Sequence, residues 1–122
     1  MIGGKRYIYV LTHVKTGKKY VGVTFNPKER ERRHRCALKG NYHECKDLQA
    51  DYHDDPRLTF EVIAETEGNL EGFHLERDYI LRLKTYDERI GYNNRDVRMR
   101  YARRRAGLPE SNSFQRRDWV TA

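Results

Sequence analysis

The chain has 122 residues, enough for one domain and a short appendage. Hydrophobic residues make up 37% and charged residues 35%, so the core is small and every apolar segment is needed to build it. The 25 Lys and Arg exceed the 18 Asp and Glu, giving a net charge of +7; no apolar run is long enough for a transmembrane helix or a signal-peptide core, and two cysteines do not make a disulfide framework. These features predict a cytoplasmic, reduced protein that avoids membranes and binds polyanions.

In chain order, Arg6 to Val14 is rich in Tyr, Ile, Val and Leu and predicts a strand. Lys15-Thr16-Gly17-Lys18 reads as a turn, and Lys19 to Thr24 as the second strand of a hairpin. Asn26-Pro27 is a helix start, with Asn as cap and Pro in the first turn; that helix runs to Lys39 and stops at Gly40. A short helix is expected over His43 to His53, ended by Asp54-Asp55-Pro56. Arg57 to Glu65 alternates as a third strand, Asn69 caps a helix to about Thr85, and Gly91-Tyr92-Asn93-Asn94 is a turn. The order ββααβα, without repeating βα units, predicts an α+β fold: a small three-stranded antiparallel sheet flanked by helices.

Several side chains sit on unexpected faces. On a wheel of the helix from Asn69, Glu76 falls between Leu83 and Ile80 in an apolar arc that also holds Tyr79, Phe73, Leu70 and Leu81. A carboxylate there must be ion-paired, for instance with neighbouring Arg77, or serve as a ligand or catalytic group. In the first helix, Arg30 and His34 lie one turn apart between Ala37 and Leu38, on the inward face. Lys28, Arg32 and Arg35 point elsewhere. Either Arg30 snorkels to solvent or a guanidinium and an imidazole face inward together. Tyr7 and Tyr9 share a strand face, with Tyr20 opposite in the hairpin.

The charge is concentrated at one end. Residues 95–122 hold eight arginines, no lysine and three acids, a net +5, whereas residues 1–94 carry only +2. A compact domain over 1–94 and an arginine-rich arm over 95–122 are therefore expected. Arg95, Arg98, Arg100, Arg103, Arg104 and Arg105 are candidate nucleic-acid contacts, because guanidinium grips phosphate bidentately and stacks on bases. The alternative is a solvated helix, Arg95 to Ala106.

Phenols, an arginine, histidines and one inward carboxylate in a basic domain suit phosphodiester hydrolysis, and here the sequence resembles the GIY-YIG nucleases, most of all the phage- and intron-encoded homing endonucleases among them. The first motif stands as Tyr7-Ile8-Tyr9, with Tyr7 where the family has glycine, and the second as Tyr20-Val21-Gly22. The family arginine falls on Arg30 and its histidine on His34. A second histidine of the homing branch falls on His43, the glutamate on Glu76 and the late asparagine on Asn93.

The resemblance implies a tyrosine general base, Tyr9 with Tyr20 as partner, or the reverse. It also implies that Arg30 holds the scissile phosphate, that His34 takes or relays a proton, that Glu76 holds one Mg²⁺ or Mn²⁺, and that Asn93 orients Glu76 or a water. His43 and Asn93 are equally explained as a helix-start residue and a turn residue. The expected partner is DNA, with a homodimer or two sequential events needed to cut both strands.

Two other readings are open. The pattern His34-x-Cys36 and His43-x-Cys45 has zinc-ligand residue types, although His34 and Cys36 diverge on a helix. The chain could also bind nucleic acid through its arm without cutting it.

Overall fold

The computed structural model describes residues 4–93. The expected arm, with Arg95, Arg98, Arg100, Arg103, Arg104 and Arg105, lies outside the described residues. The elements are β1 (Lys5–His13), β2 (Lys19–Thr24), α1 (Pro27–Lys39), α2 (Lys46–Asp54), β3 (Leu58–Glu67) and α3 (Asn69–Leu83). Together they form a three-stranded antiparallel sheet of order β2-β1-β3 with three helices, the expected α+β fold.

Three local expectations differ from the structure. α2 starts at Lys46 and not at His43, because the backbone N–H of His43 is bonded to the Gln49 side chain and that of Cys45 to His43 Nδ1. Cys45 is extended (φ −83°, ψ 104°) and caps the helix, and these bonds satisfy N–H groups that no helical turn would pair. The cap of α3 is Gly68; the side-chain oxygen of Asn69 instead accepts from Arg6 Nε at 2.7 Å. β3 continues to Glu67, paired with Lys5 of β1.

The central strand β1 is buried on both faces. Ile8 and Val10 pack with Val21, Ile80 and Tyr86 on the α3 side. Leu11 packs with Leu38, Leu48 and Tyr92 on the side of α1 and α2. Alternation places Tyr9 on the face of Leu11, so it points towards α1.

The wheel of α3 was correct about Glu76 and too broad elsewhere. The buried stripe is Gly72, Glu76 and Ile80, spaced four residues apart, whereas Leu70 and Phe73 are 62% and 48% exposed. α3 approaches the sheet along Gly72, against Arg6 and Val23, which turns Leu70 and Phe73 outward.

Candidate active site

α1 presents its site residues through a well-made start. Asn26 Oδ1 accepts from the Glu29 N–H at 3.2 Å, and Pro27 occupies the first turn. From this fixed start Arg30, His34 and Leu38 follow at four-residue intervals along the face turned to β1. His34 and Leu38 are buried. Arg30 does not snorkel away: its Nη1 lies 3.5 Å from the Tyr9 hydroxyl. Arg32 and Arg35 pair with Glu29 and Glu31 on the solvated side.

Tyr9 is placed by sheet register. It pairs with Gly22 on β2, and a Cβ at Gly22 would collide with the Tyr9 ring. The glycine of the second motif therefore makes room for the tyrosine of the first. Phe60 of β3 stacks on the ring from the other side, centroids 4.7 Å apart at 19°, and the Tyr20 ring lies 6.3 Å away.

A hydrogen-bond chain runs from this phenol into the α1–α2 loop. Tyr9 Oη lies 2.8 Å from His34 Nε2, and His34 Nδ1 lies 2.8 Å from His43 Nε2. At the far end, the Cys45 backbone N–H donates to His43 Nδ1 at 3.0 Å. A backbone amide can only donate, so His43 Nδ1 carries a lone pair and the proton of neutral His43 sits on Nε2. His43 then donates to His34, and His34 donates from Nε2 to Tyr9. With Arg30, two donors converge on one phenolic oxygen. Gln49 supports the chain from behind: Oε1 accepts from the His43 N–H at 3.0 Å and Nε2 donates to the Leu38 carbonyl at 2.9 Å.

The electrostatics follow from burial. Desolvation pushes the Tyr9 phenol up to about 12, with Glu76 adding to the rise and Arg30 opposing it. Tyr20 is driven higher, by burial and by the negative charge that Tyr9 and Glu76 can carry. His34 is lowered to about 3 by burial and by the positive charge that His43 and Arg30 can carry, and burial lowers His43 too. Both imidazoles are therefore neutral at pH 7, as the bond polarity requires.

Tyr20, Arg30, His34, His43, Glu76 and Asn93 all line one cleft of about 810 Å³, and Tyr9 meets it through Arg30 and His34. Glu76, 5% exposed, enters from α3 on the opposite side of the sheet from α1. It reaches the same space because β2 is an edge strand. Arg77 forms no ion pair among the described residues, so an adjacent Glu–Arg pair does not account for the buried carboxylate. Asn93 Oδ1 accepts from the Val21 N–H at 2.8 Å, and its Nδ2 donates to the Val21 carbonyl at 3.0 Å. These bonds fix β2 beside Tyr20, and a bond from Asn93 to Glu76 is not among them.

The donor set fits one kind of metal. Among the described residues no three His, Cys, Asp or Glu side chains are grouped to hold an ion. This overturns the zinc reading: both ring nitrogens of His34 and of His43 are already hydrogen-bonded, and Cys36 is exposed whereas Cys45 is buried. Mg²⁺ makes a smaller demand, since it keeps several waters and combines one or two carboxylates with substrate phosphate. Glu76 in a basic cleft meets that demand.

Gln49 and Phe60 were not visible as site residues in the sequence. A lone Gln in a helix and a Phe in a strand carry no motif, and only the tertiary structure brings them to His43 and Tyr9.

Fold and site together define a phosphodiester-cleaving domain, and the chain belongs to the GIY-YIG family: the GIY-YIG catalytic domain matches residues 5–93. As a member it is a nuclease domain acting on nucleic acid. No curated protein matches the chain. Two solved structures share the fold. A mutant of the catalytic domain of intron endonuclease I-TevI superposes with a TM-score of 0.68 at 22% identity, covering 76% of this chain and 96% of that one. The catalytic domain of homing endonuclease I-TevI gives 0.64 at 21% identity, covering 74% and 95%. No helix among the described residues is long and apolar enough to cross a membrane.

Proposed function

We propose that the chain is a divalent-metal-dependent DNA endonuclease of the homing type, carried by a phage or mobile element and acting in the host cytoplasm. The observation that carries this reading is the Tyr9 hydroxyl. It receives donors from both His34 and Arg30, in a cleft that also holds a buried carboxylate.

Tyr9 is the general base in this reading, because phenolate character is supported where donors converge. Tyr20 has no hydrogen bond to its hydroxyl among the described residues, and its surroundings favour the neutral phenol more strongly. Arg30 holds the scissile phosphate; its contact with Tyr9 at 3.5 Å is long and readily exchanged for a phosphate oxygen. His34 holds the phenolate by donation. It does not receive the Tyr9 proton, because its Nε2 already carries one, so that proton leaves on the cleft side. Once that proton has left, a water gives a proton to the Tyr9 phenolate, its oxygen attacks phosphorus, the P–O bond to the leaving oxygen breaks, and the leaving oxygen takes a proton from solvent in the cleft. Glu76 would hold Mg²⁺ or Mn²⁺, which when bound supplies charge neutralisation for the phosphate and for the carboxylate that raises Tyr9.

The arm at 95–122 would add phosphate contacts that carry little sequence information. A homodimer on DNA, or two successive events, would cut both strands. Supercoiled plasmid incubated with Mg²⁺, Mn²⁺ or EDTA tests the reading. Metal-dependent nicking or linearisation, lost in Glu76→Ala, is the expected result. Tight binding with no cutting in either metal would leave a binding protein without endonuclease activity on this DNA.

A further inference from the structure

The cleft is larger than one phosphate requires, and its outer part is built with unused chemistry. Of the α1 arginines, Arg32 and Arg35 are held by Glu29 and Glu31. Arg30 and Arg33 form no salt bridge among the described residues, although the Arg33 charge is felt by Glu29, and both line the cleft together with Arg32. Arg30 and Arg33 stand three residues apart and are neighbours on the helix surface.

Tyr42 lines the same cleft and is 66% exposed. Its position is specified by its neighbours. The backbone of Gly40 (φ −84°, ψ −2°) suits any residue, yet a Cβ there would collide with the Tyr42 ring. Glycine at this helix cap, whose N–H donates to the Cys36 carbonyl at 2.9 Å, also leaves space for the ring. Asn41 takes the left-handed conformation, φ 65°, and its Oδ1 lies 2.9 Å from His53 Nε2 of α2. The Tyr42 N–H then donates to the Ala37 carbonyl at 2.9 Å. The result is an aromatic ring whose backbone is fixed and which lies at the rim of a basic cleft, outside both hydrophobic clusters.

We infer that Arg33 and Tyr42 form a subsite for the nucleotide flanking the cut, with Tyr42 stacking on a base that has left its own stack and Arg33 holding the adjacent phosphate. Stacking on an aromatic face is tolerant of base identity, because every base has such a face. The subsite therefore selects structure: nucleotides that are unpaired, bulged or easily unstacked cost less to extrude and bind better. This inference rests on the nuclease reading for the position of the cut and deepens it by naming the form of DNA preferred there.

The test uses the full chain with Ca²⁺ in place of Mg²⁺, and duplexes carrying a single 2-aminopurine, either bulged or paired. Binding is expected to quench the bulged fluorophore. Tyr42→Ala should lose the quench and weaken binding to the bulged duplex about tenfold. Tyr42→Phe should keep both. Gly40→Ala, which displaces the ring without removing it, should lose the quench. Arg33→Gln should weaken all duplexes alike and lower the salt slope by about one. Quenching that persists in Tyr42→Ala at wild-type affinity overturns the subsite, as does equal affinity of the wild type for bulged and paired duplexes. Neither readout requires cutting, so failure of the nuclease reading, no cleavage with Mg²⁺ or Mn²⁺, is recorded separately.

Discussion

His34 Nε2 lies 2.8 Å from the Tyr9 hydroxyl, at the end of a chain whose direction is fixed at its other end, by the backbone N–H of Cys45 on His43. That direction makes His34 a donor to Tyr9 and gives each tyrosine a different task. Tyr9→Phe should lower cleavage by about 10³-fold or more, the scale of losing an acid–base group. Tyr20→Phe should cost less, because its hydroxyl bonds no described residue. Nitrogen-15 NMR of the imidazoles should show both His34 and His43 protonated at Nε2. A proton on Nδ1 of His34 would reverse the chain and restore His34 as acceptor of the Tyr9 proton.

The same histidines set an acid limit on stability. Their folded values lie below the ordinary histidine value of 6.5, to about 3 for His34. Above pH 6.5 both folded and unfolded chains hold them neutral, and they leave stability unchanged. Below it the unfolded chain takes up protons that the folded chain refuses, so stability falls as pH drops, by about 1.4 kcal/mol per unit from His34 while the pH stays above its folded value, with His43 acting in the same direction. Melting curves should lose on the order of 10 °C between pH 7 and pH 5. His43→Gln should flatten that dependence.

Gly22 is expected to be intolerant of even one methyl group. Gly22→Ala drives a Cβ into the Tyr9 ring, and the ring cannot retreat because Phe60 stacks on its other side. A loss of about 1–3 kcal/mol is expected from denaturant unfolding, with a larger fractional loss of cleavage, since any ring shift breaks the bond to His34.

The arm should govern affinity more than chemistry. Replacing Arg95, Arg98, Arg100, Arg103, Arg104 and Arg105 by Gln should reduce the dependence of log K on log salt by up to about 5, with single-turnover cleavage at saturating protein little changed. Fluorescence anisotropy on a duplex across a salt series measures the slope. An unchanged slope would show that the arm does not touch phosphates.

Local chemistry along the sequence was enough for the elements and for much of the site. Asn26-Pro27 starts a helix wherever it stands, because a side-chain cap and a preset φ need no tertiary partner. Period-two runs of Tyr, Ile and Val make strands for equally local reasons, and a carboxylate inside an apolar arc is unusual in any helix. The Tyr, Arg, His and Glu residues that line the cleft were legible for that reason, helped by motif order. The direction of the hydrogen-bond chain was not legible, because it depends on which backbone amide meets His43 in space. Gln49, Phe60, Arg33 and Tyr42 were equally silent: each is ordinary in its own segment and gains meaning only from a neighbour far along the chain or across a turn. The width of the buried stripe on α3 was also decided by packing, since a wheel gives directions around a helix but not how much of its circumference a narrow three-stranded sheet covers. The sequence by itself determined which chemical groups the domain carries and on which faces. The tertiary structure decided which oxygen receives the protons' donors, because hydrogen-bond polarity is a property of contacts between segments and not of any segment alone.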